Sequence, residues 1–268
     1  MKPFLKWPGG KYRLIKRIDK QLGEGKRLVE PFVGSAAVFM NTDFDRYLLA
    51  DQNTDLINLY QQLQTEGDEF IDYCKTFFIA DNNTEEQYYA LRDKFNRTRN
   101  ISLRSALFLY LNRHCYNGLC RYNSKGIFNT PFGRYTKPYF PKKEMQYFYE
   151  KSGRAEFIRG NFIKTMNAVK QGDVVYCDPP YTPLSKTSYF TDYYRGGFSW
   201  EDQVELSNQA HKLSRKGIKV IISNHNTAPT RELYREAGAK MERFQVRRSI
   251  SCDPGNRTKV GELLAIFG

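Results

Sequence analysis

The chain predicts an α/β fold, a doubly wound sheet built from two sequence segments with a mainly helical insert between them. Three observations carry that prediction. The apolar runs Lys26–Val33 (KRLVEPFV) and Arg46–Asn53 (RYLLADQN) each contain an acid near their end and precede a stretch of helical character. The same alternation returns at Gly172–Tyr181 (GDVVYCDPPY) and Lys219–Asn226 (KVIISNHN). Between these segments the periodicity turns helical and the charge turns basic.

Taken in order, Phe4–Lys11 (FLKWPGGK) holds a Pro-Gly-Gly turn, with a helix expected from about Tyr12. The first strand ends at Glu30-Pro31, Gly34-Ser35 makes a turn, and AAVFMNTDF, residues 36–44, reads as a helix. The second strand ends in Asp51, and Asp55–Gln64 continues as a helix. From 55 to 157 the chain reads as helices and loops, with helical spacing in Glu85–Arg97 and Leu103–Tyr116 and a turn-rich stretch after them. The α/β pattern resumes with the strand ending at Asp178, a helix over Trp200–Gly217, the strand Lys219–Asn226 and a helix from about Thr230 to Ala237. ERFQVRRSIS, residues 242–251, and KVGELLAIFG, residues 259–268, read as closing strands of a hairpin at the sheet edge. The expected domains are therefore 1–54 with 158–268, the discontinuous sheet domain, and 55–157, the insert.

Composition narrows the setting. The formal charge is +13 in 268 residues, which calls for a polyanionic partner. From Arg97 to Lys143 the cations Arg97, Arg99, Arg104, Arg113, Arg121, Lys125, Arg134, Lys137, Lys142 and Lys143 are accompanied by no Asp or Glu. They alternate with Tyr, Phe, Asn and Gly, a mixture that offers phosphate-binding charge, stacking planes and donors for base edges. The five cysteines contain no C-x-x-C pair, as in reduced cytoplasmic proteins, and the scattered His114, His211 and His225 give no support to a metal site. No apolar run reaches bilayer length and the start lacks a signal-peptide core, so a cytoplasmic protein that is not membrane-bound is expected; a monomer is expected as well.

Three stretches carry chemistry. In FVGSAAVF, residues 32–39, Gly34 lets the backbone approach a ligand, but the three glycines of a dinucleotide fingerprint are missing. Glu30 and Asp51 on neighbouring strand ends suit a ligand with hydroxyls and a positive centre, features that S-adenosylmethionine combines. Trp7 and Lys11 bracket the Pro-Gly-Gly turn as an aromatic wall and a cation for an amino-acid carboxylate, although a simple tail before a helix would look the same. Asp178-Pro179-Pro180-Tyr181 closes a buried strand at the edge where such sheets bind ligands. An aromatic amine is a poor nucleophile because its lone pair is delocalised. Acceptors on both amino hydrogens, the Asp178 carboxylate and the Pro179 carbonyl, favour a pyramidal nitrogen, and prolines hold them in place. Tyr181 offers a stacking face. A base within a duplex reaches such a pocket only by flipping out, and the basic insert would supply the compensating contacts.

FLKWPGGK, EPFVGSAAVF, LLADQN and VVYCDPPY, in this order, resemble the Dam family of DNA adenine-N6 methyltransferases, in the α group of amino-methyltransferases. The likeness continues through YNGLCRYN, FNTPFGRY, ISNHN and VRRSIS, over nearly the whole chain. It implies a Rossmann-like S-adenosylmethionine-dependent methyltransferase sheet with an inserted DNA-recognition domain, acting on adenine N6 in GATC of double-stranded DNA. It also implies cofactor contacts from Trp7, Lys11, Asp51 and Asp178, and a cofactor loop formed by Glu30, Pro31, Phe32, Gly34, Ser35, Ala36 and Ala37. Asn161 and Phe162 would lie beside the cofactor's adenine. Catalysis falls to Asp178, Pro179, Pro180 and Tyr181. DNA contacts fall to Lys6, Tyr116, Asn117, Leu119, Arg121, Asn123, Pro131, Arg134 and Ser185, with Arg121 and Leu119 reading base pairs and Tyr116 stacking into the gap left by the flipped base. The sequence departs from the family where Ala36 or Ala37 replaces a frequent second glycine, and where Pro8 replaces a common alanine. Two alternatives stay open from the sequence: a methyltransferase for another DNA target or for RNA, and a non-catalytic DNA-binding module with a decayed cofactor site.

Overall fold

The computed structural model describes residues 1–181, 198–247 and 259–268. Ser185 and Cys252, together with the end of the VRRSIS stretch, lie outside the described residues. The elements are α1 (Ile15–Leu22), β1 (Arg27–Glu30), β2 (Arg46–Asp51), α2 (Thr54–Lys75), α3 (Glu85–Arg97), α4 (Ile101–His114), α5 (Lys142–Ser152) and β3 (Ala155–Arg159). They continue with α6 (Phe162–Asn167), β4 (Asp173–Cys177), α7 (Trp200–Ser214), β5 (Lys219–His225), α8 (Ala228–Glu236), β6 (Lys240–Arg247) and β7 (Lys259–Phe267). The chain groups into two compact units. The first comprises Met1–Lys16, Val33–Asp43 and Asp51–Arg159; the second comprises Arg17–Phe32, Phe44–Ala50 and Gly160–Gly268.

The fold is mixed α/β, with seven strands in its sheet. Those of the second unit run in the order β2-β1-β4-β5-β7-β6. β1 is parallel to β2, through Val29↔Leu48, and to β4, through Val29↔Val175. β4 is parallel to β5, and β7 runs antiparallel to both β5 and β6. The final hairpin expected from the sequence is thus present in the β6–β7 pairing. Every residue of β4 is buried, as required of a central parallel strand covered on both faces. Strand order reverses between β1 and β4, because β2 lies beyond one and β5 beyond the other. Glu30 and Asp178 stand at the carboxyl ends of β1 and β4, beside that reversal, the place where such sheets bind ligands.

The first unit is built around aromatic rings. Phe148 of α5 meets Tyr60 of α2 at 4.9 Å, Phe4 at 5.2 Å, Phe39 at 5.4 Å and Phe157 of β3 at 5.5 Å between centroids. All five are buried, so this cluster fixes the N-terminal segment, α2, α5 and β3 to one another. Local signals set the ends of the helices. Asn53 caps α2 by accepting from the Leu56 N–H, and Asn100 does the same for α4. Ser199 and Asp202 form a reciprocal capping box on α7.

One expected element is absent. Residues 36–44 form no α-helix; a turn is followed by a short 3-10 stretch at Phe39–Asn41. Ala36 sits at φ +59°, a left-handed conformation that cannot start a right-handed helix. The Asn41 amide then donates to the Ala37 carbonyl and the Thr42 hydroxyl to that of Val38, competing with the helical ladder. The sequence reading also passed over α5, β3 and α6.

Phe148→Ala should lower unfolding free energy by about 3–5 kcal/mol, the range for removing a large buried ring. Urea unfolding measures it, and a loss under ~1 kcal/mol would show that the neighbouring rings collapse into the gap.

Candidate functional site

In the second unit, β4 delivers Asp178 to the sheet edge. Pro179 and Pro180 have no N–H to continue the ladder, so the chain leaves the sheet there. The Ser223 hydroxyl, from β5, donates to Asp178 Oδ1 at 3.4 Å. A carboxylate only accepts, so the Tyr176 hydroxyl, 2.6 Å from Ser223 Oγ, must donate to that serine. Tyr176 and Ser223 are buried, and the pair aims the Asp178 carboxylate from below. Burial, reinforced by the Asp178 charge, pushes the Tyr176 phenol well above its ordinary range and keeps it a donor. Tyr181 is held by its hydroxyl, which donates to Glu262 Oε2 at 3.4 Å, and by His225, whose ring meets it edge to face at 4.6 Å. Burial and then the Asp178 and Glu262 carboxylates push its phenol well above the usual range as well.

At the end of β1, Glu30 is buried, and Phe32 follows Pro31 as the chain turns away from the sheet. Phe32 stacks on Phe162 at 5.7 Å and meets Phe198 edge to face at 5.4 Å. Asn161 caps α6 by accepting from the Lys164 N–H, which places Phe162 at the first helical position. The structure thus brings together Phe32 and Phe162, which are 130 residues apart in sequence by their numbers, and adds Phe198, a ring the sequence reading did not single out.

In the first unit, Asp51 accepts from the Gly34 N–H at 3.1 Å and from the Asn53 N–H at 2.9 Å. Burial raises its pKa above the ordinary carboxylate value, opposed by those backbone donors. Gly34 has φ +45°, and an added Cβ would stand 2.9 Å from Trp7 Nε1, so the indole lies directly on this glycine. Tyr60 donates to the Gly34 carbonyl at 2.5 Å. Trp7, Gly34 and Asp51 are therefore one assembly, with Ser35, Ala36 and Ala37 buried beside it. Lys11 is buried too, its ammonium donating to the Gly9 carbonyl at 2.6 Å. Ala36 adopts a left-handed backbone of the kind that glycine favours.

The basic turn of the same unit is organised by Asn112, a fully buried residue of α4 absent from the sequence reading. Its Oδ1 accepts from the Lys6 N–H at 2.9 Å, while its Nδ2 donates to the Lys6 carbonyl at 2.7 Å and to the Gly118 carbonyl at 3.2 Å. Lys6 and the turn Tyr116–Gly118 are thereby tied together. The Lys6 ammonium stands 3.7 Å over the Tyr135 ring, and burial followed by the Arg113 charge lowers its pKa. Tyr135 in turn accepts the Asn117 N–H through its hydroxyl. Tyr116 is exposed, and Asn117 is left-handed at φ +52°. Arg121 is exposed and braced by Asn129, through Oδ1 at 2.8 Å and the carbonyl at 3.2 Å. The Asn123 amide oxygen is committed to the Lys125 and Ile127 N–H groups, so this side chain shapes the turn. Pro131 accepts from the Tyr116 N–H, and Arg134 makes a long exposed pair with Glu85 at 3.5 Å.

No group of His, Cys, Asp and Glu among the described residues could hold a metal ion, and no helix there is long and apolar enough to cross a membrane. Cys74, Cys115 and Cys177 are buried free thiols.

The family model of the D12 class N6 adenine-specific DNA methyltransferases matches residues 7–250. The chain belongs to this family. The DNA adenine methylase of Vibrio cholerae serotype O1 is 50% identical over 265 residues, covering 98% of this chain and 95% of that protein. Those of Serratia marcescens, 50% identical with 98% and 97% covered, and of Escherichia coli (strain K12), 49% identical with 98% and 94% covered, are similarly close. The protein is therefore a DNA adenine methyltransferase, and the non-catalytic binding module is set aside.

Gly118 shows how tightly this methyltransferase packs its turn. It has φ +68°, and an added Cβ would lie 2.3 Å from Lys6 Cβ. Gly118→Ala should cost roughly 1–3 kcal/mol in backbone strain alone and displace the turn. We expect DNA affinity, measured by fluorescence anisotropy on a labelled duplex, to fall about tenfold, equivalent to about 1.4 kcal/mol. Gly126→Ala is the control, since Gly126 shares the positive φ but nothing surrounds its added Cβ. Equal binding losses in the two variants would mean that contact with Lys6 is not what matters.

Proposed function

We propose that the methyltransferase transfers the methyl group of S-adenosylmethionine to N6 of an adenine flipped out of duplex DNA, within GATC, acting as a cytoplasmic monomer. The observation that carries the reading is Asp178, aimed by Ser223 and Tyr176 at the switch point of the sheet and followed by two prolines and Tyr181.

The residues present fit the cofactor. Asp51 is a half-buried acid with acceptor capacity beyond the two N–H groups it already takes, Gly34 holds the turn against the Trp7 ring, and Phe32 and Phe162 stack on one another after the end of β1. To the same cofactor we assign Trp7 and Lys11. When bound, S-adenosylmethionine supplies an electrophilic methyl group on a positively charged sulfur. The protein's part is to prepare the amine. Asp178 accepts one amino hydrogen and the Pro179 carbonyl the other, which draws the nitrogen lone pair out of conjugation. Both acceptors are fixed before the base arrives, so little reorganisation is left for the transition state. The proton leaves after transfer, so no strong base is needed.

Tyr181 is assigned to the face of the flipped base, where stacking contributes about 1–3 kcal/mol. That contact and those of the basic turn offset the few kcal/mol that unstacking costs. Arg121 is assigned to a guanine, where a bidentate pair to O6 and N7 discriminates by about 1–3 kcal/mol per base pair. Asn117, Leu119 and Lys6 are assigned to the same recognition surface. The functional division into a catalytic part, 1–54 with 158–268, and a target-recognition part, 55–157, belongs to this proposal.

The test is radiolabelled S-adenosylmethionine with two duplexes, one holding a single GATC and one with the same bases scrambled. Label on the GATC adenine alone is expected. Label on both would discard GATC, and a failure of unlabelled S-adenosylmethionine to dilute incorporation would discard the cofactor. Asp178→Ala should lower transfer at least a thousandfold while duplex affinity stays within a few-fold; unchanged turnover would refute the role given to Asp178.

A further inference from the structure

The Asp178–Tyr181 segment has a conformational gap that its prolines do not close. The rings of Pro179 and Pro180 fix φ at both positions. A following proline also confines the preceding residue to extended conformations, which restrains ψ at Asp178 and at Pro179. Between Asp178 and the peptide that enters Tyr181, the soft main-chain torsion left is ψ of Pro180. It decides where the Pro180 carbonyl points and how the chain enters Tyr181, and so the angle of the ring assigned to the target base.

That torsion is held from outside the motif. The side chain of Gln203, fully buried on α7, donates from Nε2 to the Pro180 carbonyl at 3.0 Å. The glutamine amide is itself oriented. Its Oε1 accepts from Asn224 Nδ2 at 3.0 Å and from the Tyr234 hydroxyl at 3.3 Å. Asn224 and Tyr234 are fully buried and joined to each other at 2.9 Å. The Asn224 oxygen is committed to the His225 N–H at 2.8 Å. Only one orientation of the Gln203 amide satisfies these partners: the oxygen faces two donors, and the NH2 group faces a carbonyl, which only accepts. Buried polar groups of this kind cost stability unless paired, so the network has one low-energy arrangement.

We propose that Gln203 is a positioning residue for methyl transfer, setting ψ of Pro180 in the Asp-Pro-Pro-Tyr segment through the Pro180 carbonyl, with Asn224 and Tyr234 locking its amide. The inference rests on the assignment of Asp178–Tyr181 as the transfer site. It separates the rate of transfer from the binding of either substrate, because Gln203 touches the main chain behind the site.

The test uses Gln203→Met, matched in length without a donor, and Gln203→Glu, which keeps an oxygen for Asn224 and Tyr234 but lacks the amide N–H pair. Single-turnover methylation of a GATC duplex is measured beside the dissociation constants for duplex and S-adenosylmethionine. Emission from 2-aminopurine at the target position reports how that base is stacked. We expect the rate to fall at least tenfold in both variants, the dissociation constants to stay within about threefold, and the 2-aminopurine signal in the complex to change as Tyr181 turns. A general structural defect would weaken binding along with rate and leave the emission of the bound complex alone. A wild-type rate in either folded variant overturns the proposal, as does a rate loss matched by equal losses of binding. Wild-type protein run alongside separates the two readings: if it transfers no methyl group, or Asp178→Ala transfers normally, the site assignment has failed, independently of Gln203.

Discussion

The conformation of Asp178–Tyr181 in the second unit depends on β4 having nowhere to go after Cys177. The strand is central, parallel to a neighbour on each side and buried throughout, which is the environment least tolerant of a residue without an N–H. Two prolines end it, and the polar groups that follow need partners other than the ladder. The Asp178 carboxylate takes the Ser223 hydroxyl, the Pro180 carbonyl takes the Gln203 amide, and the Tyr181 hydroxyl finds Glu262. Each partner comes from an element that the sheet already fixes or packs against. Rigidity at this position is thus a consequence of stopping a buried strand abruptly, and a rigid pair of acceptors is what an unreactive amine requires.

The first unit solves a different problem, that of giving shape to a turn with little regular structure. Asn112 does so by supplying one acceptor and one donor to Lys6, much as a neighbouring strand would, and by extending its amide to Gly118. The cations around that turn are held loosely where they face solvent. Arg134 and Glu85 are both exposed and 3.5 Å apart, a pair worth at most about 1 kcal/mol, so Arg134 can exchange this partner for a phosphate at small cost. Arg121 differs, because Asn129 braces its guanidinium through two bonds. A braced guanidinium loses less freedom on meeting a base edge, which favours a reading role over a merely electrostatic one.

How much of this was legible depends on the length scale of the signal. The strands at 27–30, 46–51, 173–177 and 219–225 announce themselves as apolar runs ending in polar residues, and their order is that of a doubly wound sheet. Asp178, Gly34 and Asp51 stand out because they are acids and a glycine at the strand ends where doubly wound sheets bind ligands. Residues 36–44 misled because Ala, Val, Phe and Met suit a helix by propensity, whereas the left-handed Ala36 is imposed by tertiary packing. α5 was hidden by the turn-rich residues before it, although Met145 and Phe148 have helical spacing and are buried. Asn112 left a faint mark, a polar residue in the apolar run ALFLYLN. Gln203 left none, since its partners at 180, 224 and 234 share no periodicity with it.

Ala36 and Asp51 show why the most informative positions are also the least comfortable ones. Ala36 holds a conformation that costs an alanine roughly 1–2 kcal/mol more than a right-handed one. Asp51 keeps a carboxylate where burial disfavours its charge. A carboxyl whose pKa is raised by folding contributes most to stability when protonated, and that contribution is lost as pH rises through the folded value. Ionisation of Asp51 therefore works against the fold, with the Gly34 and Asn53 N–H groups limiting the loss. An apolar residue at the end of β2 would continue the run of Leu48, Leu49 and Ala50, but it could not accept from those two N–H groups. Those two bonds give the carboxylate a use within the chain, in shaping the loop, and its remaining acceptor capacity is what the proposed assignment to a ligand with hydroxyl donors would use.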